Sequence, residues 1–112
     1  MDDRYFVPEA LRSDLPVLLD VRSPGCGACG VLEPIIVSLA GTFQGQVKVA
    51  EMNAGEAGAT AARLGVMGTP TVLFFKGRRE VGRVVGLVGQ RCLREVIQSQ
   101  LLETGAANGA GS

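Results

Sequence analysis

The chain has 112 residues, 46% of them hydrophobic and 20% charged, which suits one compact domain with a single core and excludes a disordered chain. Eleven basic residues balance eleven acidic ones, with no block of Lys or Arg, so neither nucleic acid nor an anionic membrane is an expected partner. Histidine is absent, which removes Ser-His-Asp and Cys-His catalysis, His-bearing zinc sites and imidazole proton shuttling.

The first residues carry acids and lack the cationic start and apolar stretch of an export signal. No apolar run approaches the roughly 20 residues that cross a bilayer, so a soluble, cytoplasmic protein is expected. A brief strand around Tyr5 and Phe6 and a short helix over 8–12, with Pro8 in its first turn, are the first predicted elements. Residues 17–21 form an unbroken apolar run with Asp20 inside it, the pattern of a central strand covered on both faces. From 27 to about 40, Val31, Ile35 and Leu39 form one helical stripe and Leu32, Ile36 and Ala40 the adjoining one. Pro34 opposes the carbonyl of Gly30, which predicts a kink in this main core helix.

After Gly41 and Gly45, residues 47–52 read as a strand parallel to the first, followed by a short helix over 56–64. Residues 71–75 are a strong strand, and after the turn at Gly77 residues 80–85 return antiparallel. Phe74, Phe75, Val84 and Val85 are expected in the core. A last helix spans 90–102, with Leu93, Val96, Ile97 and Leu101 as its apolar stripe. Residues 104–112 are small and polar and read as a flexible tail, leaving a domain over 1–103. Strand, helix, strand, helix, hairpin, helix is an α/β order, packed economically as a small mixed sheet with helices on both faces.

Of the three cysteines, Cys26 and Cys29 stand two residues apart, directly after a central strand and at the opening of a helix. Free backbone N–H groups and the positive end of the helix dipole there stabilise a thiolate, which makes Cys26 the nucleophile. Cys29 lies about one turn on, close enough to close a disulfide or attack a mixed one, and is the resolving thiol. A structural zinc site needs four ligands that this chain lacks without dimerising or recruiting carboxylates, and an exposed strand-to-helix corner is a poor place for an inert buried pair. Cys92, at the edge of the last helix's apolar stripe, reads as a small core residue, with a regulatory thiol as the minor alternative.

Asp20, the Cys26-Gly27-Ala28-Cys29 motif, Pro34, the Gly68-Thr69-Pro70 turn and Gly86 together resemble the thioredoxin family over roughly residues 15–103. The resemblance implies a thioredoxin fold, with a central mixed sheet of four to five strands. From the residues alone Pro70 admits a cis bond or an ordinary trans proline opening a strand; the resemblance implies cis, beside the dithiol. It further implies that Asp20 relays a proton to the resolving thiol, against the plainer reading of a strand-end acid bonded to backbone. Substrate is then expected to lie extended across Gly25-Cys26, Thr69-Pro70 and Gly86-Leu87, pairing with the backbone of Thr69.

Three positions depart from the family. Gly25 and Ala28 stand where tryptophan and proline are usual, which bares the surface beside Cys26. Neither Gly27 nor Ala28 brings a polar side chain, so the thiolate depends on the helix terminus, and a moderately reducing dithiol is expected. Glu51 stands where a lysine is frequent; pointing inward it couples to Asp20, and facing solvent it does not. Met67 either fills the core or lines the substrate face.

The expected activity is reduction of protein disulfides, with the Cys26–Cys29 disulfide as the redox centre and no bound metal or organic cofactor. The resemblance implies disulfide-containing protein substrates and a separate, flavin-dependent reductase, and the protein is expected to be a monomer. A disulfide oxidase or isomerase with the same cysteines, and a binding module with a vestigial dithiol, are the alternatives.

Overall fold

In the computed structural model, which describes residues 14–102, strand β1 (Val17–Arg22) leads into helix α1 (Gly27–Thr42). Strand β2 (Lys48–Asn53), helix α2 (Gly58–Arg63), the hairpin β3 (Thr71–Lys76) and β4 (Arg79–Val85), and helix α3 (Gln90–Val96) follow. Helix α3 continues into a wider π turn over Ile97–Leu102. The strand expected near Tyr5, the helix over 8–12 and the tail from 104, with the domain limit it defines, lie outside the described residues.

The four strands run in the order β2-β1-β3-β4, with β1 parallel to β2, antiparallel to β3, and β3 antiparallel to β4. Both interior strands are the near-continuous apolar runs, and all residues from Val17 to Val21 and from Thr71 to Phe75 are buried. Alternation along β1 divides the core in two. Leu18, with Val72 and Phe74, packs against Leu32, Ile36 and Leu39 of α1 and Leu93, Ile97 and Leu101 of the last helix. On the other face Val17, Leu19 and Val21 pack with Met52, Leu73 and Phe75 against Ala57 and Ala61 beside α2. Arg83 of β4 donates to the carbonyls of Leu64 and Gly65 at 2.7 and 3.3 Å, satisfying the exit of α2.

Several expectations are corrected. Helix α1, with Pro34 inside it, buries a single line, Cys29, Leu32, Ile36 and Leu39, because one helix face meets the sheet. Val31 therefore faces outward and is 58% exposed. Val84 packs on the core, so Val85, its neighbour along the strand, points the other way and is 67% exposed. Leu93 takes the inward place on α3, and the adjacent Cys92 is exposed, not a core residue. The last helix buries Leu93, Ile97 and Leu101 at four-residue spacing, and its final stretch takes the wider π geometry.

Phe74 is fully buried between β1, β4 and the last helix, so Phe74→Ala should cost about 3–5 kcal/mol in denaturant unfolding, while Val31→Ala should stay within about 0.5 kcal/mol of the parent.

Candidate active site

Strand β1 ends at Arg22, and the loop Ser23-Pro24-Gly25 turns the chain into α1. Gly25 sits at φ 73°, a left-handed conformation that glycine adopts without cost and that makes this sharp reversal possible. Cys26 follows as the N-cap of α1, in extended conformation (φ −88°, ψ 103°), and its Sγ accepts the N–H of Cys29 at 3.1 Å. An N-cap normally uses a hydroxyl or carboxylate oxygen; here a sulfur takes that place. Cys26 and Cys29 are joined as a disulfide, with Cα atoms 5.3 Å apart. The two sulfurs are not equivalent: Cys29 is 4% exposed beneath the helix, while Cys26 is only half-buried. Gly27 is exposed with open space where a side chain would stand, so the spacer adds no polar group to the site.

The second wall comes from the turn before β3. The Thr69–Pro70 peptide is cis, Pro70 is buried, and its carbonyl accepts the N–H of Gly86 at 2.8 Å. Gly86, at φ 93°, thus holds the end of β4 beside the proline turn. Ser23 Oγ and Thr69 Oγ1 lie 2.6 Å apart and share a hydrogen bond, which fastens this turn to the loop that carries Cys26. Leu87 is 46% and Met67 97% exposed, so Met67 belongs to the outer surface and not to the core. The structure brings Gly25, Cys26, Thr69, Pro70 and Gly86 to one end of the sheet.

Asp20 is 2% exposed on the α1 face of β1, and its Oδ1 has no hydrogen-bond partner among the described residues. Burial is the main reason its pKa rises from 3.8 to about 6; the Arg22 guanidinium opposes the rise, and the carboxylates of Glu51 and Glu33 add to it. Glu51 is the cross-strand partner of Asp20 on β2, yet its side chain is exposed and turned to Arg22 at 3.5 Å. It acts on Asp20 through the field, not as a buried neighbour. An open cavity of about 490 Å³ beside the disulfide is lined by Arg22, Ser23, Pro24, Cys26, Cys29 and Asn53 among others.

Arg22, Ser23 and Glu33 are the site residues that sequence reasoning missed. Alternation along β1 places Arg22 on the same face as Asp20, a readable signal. Nothing local marks Ser23, whose partner lies 46 positions away, or Glu33, which looks like one more solvated helix residue.

A family model for Thioredoxin matches residues 2–99. The chain belongs to the thioredoxin family. It is 35% identical over 99 residues to Thioredoxin 1 of Nostoc sp. (strain PCC 7120), covering 88% of this chain and 92% of that one. It is 35% identical over 101 residues to Thioredoxin of Haemophilus influenzae, covering 90% and 94% of the two chains. To Thioredoxin M4, chloroplastic, of Arabidopsis thaliana it is 35% identical over 103 residues, 92% of this chain and 53% of that one.

With the cysteine pair at disulfide distance, these matches make the protein a thiol–disulfide oxidoreductase that reduces protein disulfides, and they do not favour the oxidase, isomerase or binding-module readings. Its redox centre is a disulfide of the chain itself, as in a family that needs no bound cofactor. Disulfide substrates and an electron-donating reductase are the partners of that chemistry. Among the described residues no helix is long and apolar enough to cross a membrane.

Two outcomes are expected. Asp20 holds its proton more tightly folded than unfolded, so stability should fall as pH rises from about 4 to about 6. The resulting cost at neutral pH is on the order of 3 kcal/mol, so Asp20→Asn should lose this pH-dependent drop in urea unfolding and exceed the parent in stability above pH 6. A double-mutant cycle with Ser23→Ala and Thr69→Val should return a coupling of about 0.5–1.5 kcal/mol, because each single change strands the other hydroxyl.

Proposed function

We propose that Cys26 is the attacking thiol, Cys29 the resolving thiol and Asp20 the base that takes the resolving proton. The observation that carries this reading is the asymmetry of the two sulfurs: Cys26 Sγ caps α1 and is partly open, while Cys29 lies 4% exposed underneath. In the reduced protein the backbone donors that cap the helix favour a thiolate at Cys26. That thiolate attacks one sulfur of the substrate disulfide; the S–S bond breaks, the far sulfur leaves as a thiolate and takes a proton, and Cys26 is bonded to the substrate. Cys29 then loses its proton to Asp20 and attacks Cys26 Sγ, releasing the second substrate thiol and closing the intramolecular disulfide. Two electrons pass to the substrate, and the oxidised pair is the state described above.

The substrate segment runs extended past Gly25 and Cys26, pairs with the backbone of Thr69 beside Pro70, and ends against Gly86 and Leu87. The left-handed glycines at Gly25 and Gly86 leave the backbone bare at both ends of that path, which supports close approach of another chain. Gly27 and Ala28 leave the thiolate to the helix terminus, and Glu51 adjusts Asp20 from a distance. The protein acts as a cytoplasmic monomer in electron transport and cell redox homeostasis. It is re-reduced by a separate flavin-dependent reductase, the donor class that the family resemblance implies.

Trapping tests the assignment of the sulfurs. Cys29→Ser should accumulate covalent adducts through Cys26 that dithiothreitol releases, and Cys26→Ser should form none and lose all turnover of a disulfide-bonded protein. Adducts carried by Cys29 in the Cys26→Ser protein would reverse the assignment.

A further inference from the structure

Beside the dithiol stands a cluster of charges centred on Arg22, to which Glu51 also belongs. Arg22 ends β1, and its Nη1 lies 2.6 Å from Glu33 Oε1 of α1 and 3.5 Å from Glu51 Oε2 of β2. One guanidinium nitrogen thus joins three elements. The Arg22 side chain is 25% exposed, whereas the two carboxylates are 44% and 49% exposed, so the cation is the more enclosed partner. Arg22 also lines the cavity that reaches Cys26 and Cys29, while Asp20, two positions back on the same face of the strand, is buried.

We propose that Arg22 is a positioning residue for the dithiol chemistry: held between Glu33 and Glu51, it is the cation that balances their charge at the buried Asp20 carboxyl. The proposal rests on the reading of Asp20 as the resolving base. Among the described residues, the charged groups acting on that carboxyl belong to the cluster: Arg22 from its own strand, Glu51 from β2 and Glu33 from α1. The β3 residue paired with Asp20 is the uncharged Val72. Two carboxylates favour the protonated acid and one guanidinium favours the ionised base, so the net field depends on where the guanidinium is held. Ion pairs this open contribute little to folding, which makes electrostatic control their more consequential effect.

The direction of each change follows. Without Arg22, two carboxylates act on Asp20 unopposed and its titration moves to higher pH. With both carboxylates neutralised, Arg22 acts alone and the titration moves to lower pH.

The test follows the Asp20 side-chain carboxyl by carbon NMR across pH in the oxidised full chain, together with the pH profile of mixed-disulfide resolution. Arg22→Gln should raise the Asp20 midpoint, Glu33→Gln with Glu51→Gln should lower it, and Arg22→Lys should restore a value close to the parent. On the acid limb near pH 6, Arg22→Gln should resolve the mixed disulfide about two- to five-fold more slowly. An Asp20 midpoint that stays fixed in all three variants, with only the unfolding midpoint changed, overturns the proposal and leaves Arg22 a structural strut. Should Arg22→Gln fail to fold, the carboxylate pair of substitutions decides alone, since it leaves Arg22 in place. The underlying reading fails separately: it falls if Asp20→Asn leaves the resolution profile unchanged, whatever the titrations show.

Discussion

A sulfur in the place of a helix-capping oxygen is the contact on which the site depends. The first N–H groups of α1 have no partner within the helix, and Cys26 Sγ receives one of them from Cys29. The same geometry that satisfies the helix end also stabilises negative charge on that sulfur once the disulfide opens. Two features upstream make it possible. The buried run of β1 fixes where the chain leaves the sheet, and Gly25 in a left-handed conformation turns it at once into the helix. The helix must lie on the sheet to bury Leu32, Ile36 and Leu39, and this places Cys29 under its own first turn while Cys26 stays at the rim. The difference in exposure between two chemically identical sulfurs is therefore a consequence of packing.

The loop that carries Cys26 has no large side chain to anchor it. Gly25 contributes none, and the chain has no tryptophan. Its position is held by small contacts instead. Ser23 bonds Thr69 across the site, and Pro24 lies so close to Gly55 that a Cβ there would meet Pro24 Cδ at 2.9 Å. The first contact ties the dithiol loop to the proline turn, and the second ties it to the loop after β2. Gly86 completes the frame by donating to Pro70. This end of the sheet presents backbone and hydroxyls in its centre, with Met67 and Leu87 as exposed apolar groups on the rim.

Much of this was legible in the residue order because the decisive signals are local. An apolar run followed by Pro-Gly-Cys and a helical stripe locates the strand, the turn and the dithiol, and Thr69-Pro70 before a second apolar run locates the opposite wall. What the sequence hid depends on which side of an element faces the core. Val31 and Val85 read as buried from hydrophobicity alone, yet each lies beside a residue that already occupies the inward position. Cys92 is exposed for the same reason. The Ser23–Thr69 pair and the contacts of Arg22 are long-range, and no periodicity within one element announces them. Glu51 illustrates the limit: the residue order left it open whether its side chain faces inward or outward, because the cation that draws it outward stands on the neighbouring strand.

Asp20 shows how function and stability are set against each other in this fold. A carboxyl among Leu18, Val72 and the underside of α1 weakens a core that an apolar residue would strengthen, and its Oδ1 finds no partner there. The surrounding core is large enough to absorb the loss, with both faces of a four-stranded sheet covered. In return, desolvation lifts the group toward neutrality, where a base can both take and give up a proton. Desolvation alone is insensitive to small changes, since it follows from the packing. The charges at the rim are adjustable, because they sit on partly exposed side chains that a single substitution reverses. On the proposed role of Asp20, the two tasks are separated: the core makes it a base near neutrality, and Arg22, Glu33 and Glu51 at the surface set the pH at which it becomes one.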